Sequence, residues 1–420
     1  GVMRWLKFVK YLPEYGWQPV VFTPENPDPS TLDKSLTRDV PPETIVLKLP
    51  IWEPYDVYRK LTGKSKETKF KAGYISEASG QGWKDKLSVF IRGNLMIPDP
   101  RKFWIKPAVR FLTVYLKENP VDLIVSTGPP HSMHLIALEI KRKLNIPWLA
   151  DFRDPWTNID FYTRLRLTPW ADRKHQLLEK KVLQTADMVD TVSWSWAEDF
   201  KRILPREIEV ITNGYDPEDF EFEELEPDHY FSIIHIGSFN KDRNPEALWV
   251  ALAGMGEADE QFRKDLRIRF AGQTDGSILQ SLSEKGLKDN CEDFGYLVHK
   301  KSLSLLKQSQ VLLLPLNDAP NVSGIIPGKL FEYMAAEKPI LVIGPQDGDT
   351  ARIIRESGAG HVAGFNETDD IRRIVEEYYQ SWLNKSNDAI SRDLLKYSRK
   401  QITGQLVQTF EKILHTSALK

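Results

Sequence analysis

The sequence of 420 residues contains a single cysteine, Cys291. One thiol cannot build a disulfide framework or a Cys-ligated zinc or iron–sulfur centre, and cysteine this scarce points to a reducing compartment. Long apolar runs are lacking as well: none approaches the ~18 residues that a membrane-spanning helix requires. Neither sign of charge is in excess, with 57 Lys and Arg against 59 Asp and Glu, a net charge of −2. The marked basic surplus of a nucleic-acid-binding chain is therefore missing, and no nucleic-acid partner is expected. Three catalytic signatures are also absent: the GxSxG nucleophile elbow, the HExxH zinc helix and the GxGxxG dinucleotide loop. Tripeptides starting at Asn321, Asn366 and Asn384 match the glycosylation pattern, but with no secretion signal they are read as chance.

What is present is a globular composition, 41% hydrophobic and 28% charged. At roughly 150 residues per domain the chain has room for two or three cores, which need no disulfide or metal to hold them. Short apolar runs alternate with helix-length segments of 3.6-residue periodicity. The runs are Gln18–Thr23, Thr44–Leu49, Asp122–Thr127, Pro147–Phe152, Met188–Ser193, Glu209–Asn213, Phe231–Gly237, Leu266–Gly272, Gln310–Leu316, Pro339–Gly344 and His361–Phe365. Rich in Val, Ile and Leu without alternation, they suit strands buried on both faces of a parallel sheet. Repeated βαβ units in two sets predict an α/β protein with two doubly wound domains.

Gly1–Leu12 reads at once as an amphipathic helix with Met3, Leu6, Val9, Tyr11 and Leu12 on its apolar face. The acidic, aperiodic stretch Asp216–Tyr230 is expected to link the domains. Residues 59–86 are basic, rich in Gly and Ser, and read as a long insertion into the first domain.

Several segments could carry chemistry. Gly324–Leu330 faintly resembles a phosphate-binding loop, but Leu330 stands where a metal-binding hydroxyl is needed. Asp347-Gly348-Asp349 could hold a divalent ion; its place between a strand and a helix favours Asp349 as an N-cap, and no metal is expected. In Ser323–Ile340 a Gly- and Pro-containing turn, with Gly324, Ile325 and Ile326, leads into a helix whose first N–H groups can receive a phosphate. Lys329 and Glu332 share a face of that helix. The carboxylate could accept two hydrogen bonds from a ribose diol, or the two side chains could simply pair. The loop Gly237–Pro245, with Ser238, Lys241 and Arg243, follows a strand and opens a helix, the usual phosphate position in a doubly wound domain; a solvated turn is the plain alternative. In the first domain His131 follows the strand Asp122–Thr127, and Arg153 and Asp154 end the next one, so all three fall at a strand edge where ligands bind.

Taken in order, Asn213–Phe220, His235–Pro245, Tyr296–Pro315 and Gly324–Leu341 resemble the retaining glycosyltransferases of family 4, and the resemblance covers almost the whole chain. It implies the GT-B fold: two Rossmann-like domains facing across a cleft, with the nucleotide sugar between them and mainly on the second. On this reading residues 1–215 form the acceptor-side domain, with an insertion at about 59–106. Residues 216–395 form the donor-side domain, and 396–420 a helix packing back toward the first. Glu332 then matches the acid that holds the ribose hydroxyls, and Arg243 the basic residue that grips the diphosphate, with Lys329 beside them. His131 matches the histidine that touches the transferred sugar. Gly1, Gly237, Ser238, Tyr296, Gly324, Ile325 and Ile326 complete the donor site, with Arg153 and Asp154 on the acceptor side.

Three departures stand out. Gly324 occupies the position where the family often has a second Glu, and Ser238 the position of a phosphate-binding Arg. The family's first strand and most of its glycine loop would precede Gly1, so the chain is read as a fragment. The resemblance implies transfer of a sugar from a nucleotide-diphosphate sugar to a glycan or lipid-linked acceptor in cell-surface polysaccharide or glycoconjugate synthesis. It needs no cofactor and takes place in the cytoplasm, at the inner face of the membrane. The departing phosphate takes the acceptor's proton. Two alternatives share the architecture: a nucleotide-sugar 2-epimerase, and a noncatalytic sugar-nucleotide-binding subunit. Twelve Lys and Arg from Arg59 to Lys106, Lys66, Lys69 and Lys71 among them, are interleaved with Trp83, Phe90, Phe103 and Trp104. That mixture suits an acidic glycan or a lipid headgroup layer, or else a solvated surface over core aromatics.

Overall fold

A computed structural model describes residues 2–26, 34–53, 83–159, 162–220, 226–385 and 394–418. They form two units, Gly1–Thr212 with Ile402–Lys420, and Asn213–Gln401.

The first unit opens on α1 (Val2–Tyr11). Its buried side differs from the expected apolar face, because Arg4 and Lys7 lie on it beside Phe8, Val9 and Tyr11. Arg4 reaches Asp190 at 3.2 Å and Asp151 at 3.4 Å, and donates to the Thr212 carbonyl at 2.8 Å. Lys7 pairs with Asp39 at 2.9 Å. A cation is tolerated inside only when paired and hydrogen-bonded. Its partners here come from distant strands and turns, which hydrophobic periodicity cannot reveal.

β1 (Val20–Pro24) and β2 (Ile45–Leu49) form a two-stranded parallel sheet. Contrary to the expectation of strands buried on both faces, both are half-exposed or exposed throughout. Among the described residues no third strand pairs with either. After α2 (Trp83–Leu95) and α3 (Lys102–Glu118) comes a four-stranded parallel sheet in simple order: β3 (Ile124–Gly128), β4 (Trp148–Phe152), β5 (Met188–Thr191) and β6 (Glu209–Val210). The crossovers carry α4 (Ser132–Leu144), α5 (Pro169–Thr185) and α6 (Trp194–Ile203). Ile136 and Ile140 of α4 bury against Trp104, Ala108 and Val109 of α3, as the 3.6-residue spacing predicts. Thr168 starts α5 by accepting from the Ala171 N–H, with Pro169 at the first helical position.

The second unit is one six-stranded parallel sheet in the order β12-β11-β10-β7-β8-β9. Its chain order is β7 (Phe231–Ile236), α7 (Glu246–Ala258), α8 (Glu260–Asp265), β8 (Leu266–Ala271), α9 (Gly276–Glu284), β9 (Cys291–Asp293), α10 (His299–Gln308), β10 (Val311–Pro315), α11 (Gly328–Ala335), β11 (Ile340–Ile343), α12 (Asp349–Ser357), β12 (Gly360–Ala363) and α13 (Thr368–Leu383). β7 pairs with β8 on one side and β10 on the other. The winding therefore reverses between β7 and β10, and the crevice beyond the C-terminal ends of those strands is where doubly wound sheets bind ligands.

Each of the eleven runs read as strands holds one. β9 is additional: only three residues long, two of them acidic, it lies at the sheet edge where burial demands little. The division between units falls at Thr212/Asn213, ahead of the acidic stretch expected to be a linker. Tyr215 instead bridges to Ser398 within the second unit, and Phe220 is buried. The last helix, α14 (Arg399–Ala418), buries Ile402, Leu406, Val407, Phe410 and Ile413 with Phe8, Leu12, Leu149, Met188 and Ile211 in the core of the first unit.

Candidate functional site

In the second unit the loop after β7 is built on glycine. Gly237 has φ +97°, donates its N–H to the Ala271 carbonyl at 2.7 Å, and lies under Lys329. A Cβ on Gly237 would stand 2.7 Å from both Cε and Nζ of that lysine. Gly272, at φ +143°, packs so closely that a Cβ there would come within 2.4 Å of the Gly237 carbonyl oxygen. The two glycines let the turns after β7 and β8 touch, and the bonds Phe239 N–H to Gln273 O (2.9 Å) and Asp275 N–H to Phe239 O (2.8 Å) lock them together. The chain then makes a short turn over Lys241–Arg243, from which Arg243 Nε donates to Asn317 Oδ1 at 2.7 Å, beyond the end of β10.

Lys329, in the first turn of α11, donates to His235 Nε2 at 3.2 Å. Burial, and after it the positive charge of Arg243, lower its pKa to about 7 against the opposing charge of Glu332. His235 is buried in β7, and its Nδ1 lies 3.0 Å from the Leu313 carbonyl of β10. A carbonyl can only accept, so the ring proton is on Nδ1 and Nε2 offers a lone pair to Lys329. Desolvation, then the charge of Lys329, holds this imidazole well below its usual pKa. One turn further along the same helix, the Tyr333 hydroxyl accepts from the Ile236 N–H at 2.8 Å, tying α11 to the end of β7.

Gly237, Arg243, Lys329 and Glu332 are thus brought to the point where the sheet reverses. Gly324 ends a short turn, Ile326 is buried, and the Ile325 carbonyl accepts from Thr350 Oγ1 at 2.7 Å. Tyr296 follows Gly295, whose carbonyl accepts from the Gly272 N–H, and its ring is 84% exposed. Asp349 is not the cap expected of it. Gly348 occupies that position and Asp349 is the first helical residue of α12, where a carboxylate still favours the helix dipole. His235 was missed by the sequence reading; the available signal was one imidazole inside the otherwise apolar Phe231–Ile236, two residues before Gly237.

In the first unit His131 occupies the N-cap position of α4, at the end of β3. Its ring stacks on Trp156 at 4.6 Å with an interplanar angle of 5°. Trp156 in turn donates to His175 Nδ1 at 3.0 Å, so the stack is fixed from behind by α5. Arg153 donates its N–H to the Gly128 carbonyl at 3.1 Å and its guanidinium to the Pro129 carbonyl, and burial lowers its pKa against the opposing charges of Asp151 and Asp154. His131, Arg153 and Asp154 therefore gather at one strand edge.

His134, also unforeseen, is fully buried with Nδ1 2.8 Å from Ser126 Oγ. Its Nε2 and His131 Nδ1 have no hydrogen-bond partner, and both converge on the open side of Gly128. Burial drives His134 to a pKa of about 3 and His131 well below its usual value, so both rings are neutral at pH 7. Glu179, one turn beyond His175, accepts from Thr157 Oγ1 at 2.5 Å; burial raises its pKa to about 7. The expected roles of Gly1, Lys66, Lys69 and Lys71 lie outside the described residues. Among those described, no helix is long and apolar enough to cross a membrane.

Residues 76–219 match the family model for Glycosyltransferase Family 4, and residues 230–380 that for Glycosyl transferases group 1. Of curated proteins, the probable glycosyltransferase WbjE of Pseudomonas aeruginosa is 30% identical over 120 residues, which are 28% of this chain and 30% of that protein. The chain thus spans less than a third of that relative's length. Of solved structures, sucrose-phosphate synthase from Thermosynechococcus elongatus superposes with a TM-score of 0.59 at 14% identity, over 98% of this chain and 92% of that one. Anabaena HepE, solved in complex with UDP and glucose, gives 0.56 at 12% identity over 99% and 95%. At such identities the likeness is one of fold, and that fold is GT-B, with two Rossmann-like units of parallel sheet flanked by helices. With one family model on each half of the sequence and the parallel sheets of that fold beneath them, the chain belongs to the group 1 glycosyltransferases of the family 4 type.

Proposed function

We propose that the protein transfers a sugar from a nucleoside-diphosphate sugar to a glycan or lipid-linked acceptor with retention of anomeric configuration. The observation that carries this reading is the placement of Lys329 against Gly237 where the second sheet reverses, with the charge of Arg243 acting on it and Glu332 one helical turn away. Two cations beside a glycine that lets backbone approach the ligand suit a diphosphate, and the carboxylate suits the ribose diol. The exposed Tyr296 ring is suited to cover the base.

In the reaction, the acceptor hydroxyl attacks the anomeric carbon on the face from which the diphosphate departs. The carbon–oxygen bond to the phosphate breaks as the new one forms, and the phosphate oxygen takes the acceptor's proton. Arg243 and Lys329 neutralise the charge growing on the diphosphate, while positioning supplies much of the remaining acceleration. The neutral His131 ring, held by Trp156, offers a polar contact to an uncharged sugar. No step calls for a metal, and Asp347 and Asp349 are assigned to a turn and a helix start.

An acceptor at a membrane surface is favoured by a patch on the first unit. Exposed Trp52 stands edge-on to exposed Phe103 at 4.9 Å; Lys102 lies 5.1 Å from the Phe103 ring and donates to the Leu95 carbonyl. Lys174 lies 4.9 Å from the exposed Trp170 ring, and its charge reaches Lys102. Aromatic rings carrying cations suit an anionic headgroup layer. The protein should sediment with anionic liposomes at low salt and release as ionic strength rises; indifference to such liposomes would remove the membrane from this reading. For the reaction itself, the test is incubation with a panel of nucleotide sugars and acceptors. Transfer supports the proposal, whereas an epimerised donor or binding alone would replace it with one of the two alternatives.

A further inference from the structure

The loop after β4 carries Trp156 and Thr157, and two side chains one turn apart on α5 hold them both. The Trp156 indole donates to His175 Nδ1 at 3.0 Å, and Thr157 Oγ1 donates to Glu179 at 2.5 Å. An indole N–H can only donate, so Nδ1 must keep a lone pair and the ring proton sits on Nε2. Nε2 lies 3.4 Å from the Gly93 carbonyl of α2, which can only accept. Both contacts therefore require the same neutral tautomer. Trp156, His175 and Glu179 are all buried, and residue 158 is held as well, with Asn158 donating to Asp199 of α6 at 2.6 Å.

The helix that carries these contacts is itself held in register. From α2, Asn94 donates to the Arg166 carbonyl at 3.2 Å and accepts from the Thr168 N–H at 2.6 Å, and Thr168 caps α5. The Tyr162 ring stands edge-on to His175 at 5.9 Å, its hydroxyl donating to Asp172 of α5 at 2.8 Å. On its other side Trp156 is the plate for His131, the two rings lying within 5° of parallel. The plane of His131 thus follows that of Trp156, and the plane of Trp156 follows His175.

We propose that His175 is a positioning residue for sugar transfer: by accepting from Trp156 it fixes the plate on which His131 stacks, and so aims the His131 ring at the transferred sugar. The proposal rests on the reading of His131 as a sugar contact. It adds a residue that reaches the sugar only through two others. Removing the acceptor leaves the indole N–H buried without a partner, which is costly. Thr157 and Asn158 still hold the backbone, so the strain is relieved by turning the indole toward water, and His131 loses its support. A misplacement of this kind lowers turnover from a distance while sparing the residues of the second unit assigned to the nucleotide.

The test follows the His131 ring by NMR in the full chain with ¹⁵N-labelled histidine, His131 being assigned from the signals lost in His131→Gln. In the parent, His175 should carry its proton on Nε2 alone. His175→Leu should shift the His131 ring signals, and His175→Asn, whose Oδ1 can still accept from Trp156, should return most of that shift. In a Trp156→Phe background, which keeps a stacking ring but has no N–H, His175→Leu should move His131 no further. A residue that only fills the core would move it equally in both backgrounds. Among UDP-glucose, UDP-galactose, UDP-N-acetylglucosamine and GDP-mannose, turnover of the donor the parent uses fastest should fall about 10²-fold in His175→Leu. Affinity for UDP and GDP should stay at the parent's. A proton on Nδ1, His131 signals indifferent to His175→Leu, or equal shifts in both backgrounds would overturn the proposal and leave the transfer reading intact. The expected shifts with parental turnover in His131→Gln would instead overturn the reading of His131 as a sugar contact, and the proposal with it. Turnover of none of these donors by the parent would overturn the transfer reading and the proposal together.

Discussion

At the end of β3 the first unit gathers His131 and His134 as neutral rings with unpartnered nitrogens, and the Arg153 guanidinium is tied to the Pro129 carbonyl. At the end of β7 the second unit sets Lys329 against a glycine, with the charge of Arg243 acting on it. The backbone geometry is the same, a parallel strand leading through a glycine-containing turn into a helix, but the electrostatics are opposite. Burial explains both. It expels the proton from an imidazole in either unit, and at His134 it outweighs the opposing charge of Asp151. In the second unit the Lys329 amine donates to a neutral imidazole, with the charges of Arg243 and Glu332 beside it. The fold supplies the position, and the side chains placed there decide whether the site prefers an anion or an uncharged polar group.

The contrast can be broken most severely on the charged side. Arg243→Ala should lower turnover by ~10²–10³, the usual cost of losing one transition-state donor, with little change in thermal unfolding. Turnover equal to the parent's would take Arg243 out of the site.

The first unit can be tested through the acid that burial keeps protonated. The pKa of Glu179 is raised to about 7, so the fold holds its proton where the unfolded chain, near pKa 4.5, does not. Its effect is therefore to weaken the protein as pH rises from about 4.5 to 7, and the penalty then stays constant. Glu179→Gln should be the more stable protein at pH 8, by on the order of 3 kcal/mol, and the gap should close near pH 4.5. Denaturant midpoints of the two proteins across that range are the check. Taking the difference is necessary because His131, His134 and His175, all lowered, contribute stability that is full above pH 6.5 and is lost below it.

Glu332→Ala should weaken nucleoside-diphosphate binding by about tenfold or more; equal affinity in a calorimetric titration would assign Glu332 to helix electrostatics alone. The smallest effect should follow EDTA, which is expected to leave the rate unchanged. A rate abolished by EDTA and restored by Mn²⁺ or Mg²⁺ would return Asp347 and Asp349 to the site.

The strands were legible because buried parallel strands are short apolar runs bounded by turn residues, as in Phe231–Gly237 and Pro147–Phe152. The glycines, Arg243, Lys329 and Glu332 were legible as local patterns at strand ends. What escaped depended on partners distant in sequence. Arg4 and Lys7 looked like the wet side of a helix until Asp151, Asp190 and Asp39 were found beneath them. His235 and Trp156 gain their significance from Leu313, Lys329 and His175, and His134 from Ser126. Periodicity reports which face a residue occupies, and nothing in it reports who waits on the other side.

The core of the first unit also has a history in time. β3 to β6 have all been synthesised by the time Thr212 emerges, yet Ile402, Leu406, Val407, Phe410 and Ile413 of α14 reach Phe8, Leu149 and Met188 only after Asn213–Gln401 has followed. At ~5–20 residues per second that wait is roughly 10–40 s on the ribosome. Throughout it the nascent first unit shows an apolar face that only the final helix covers, while the second unit, uninterrupted in sequence, can finish folding first. The order of maturation is thereby the reverse of the order of synthesis. A stalled or prematurely released chain would offer that uncovered face to chaperones and proteases.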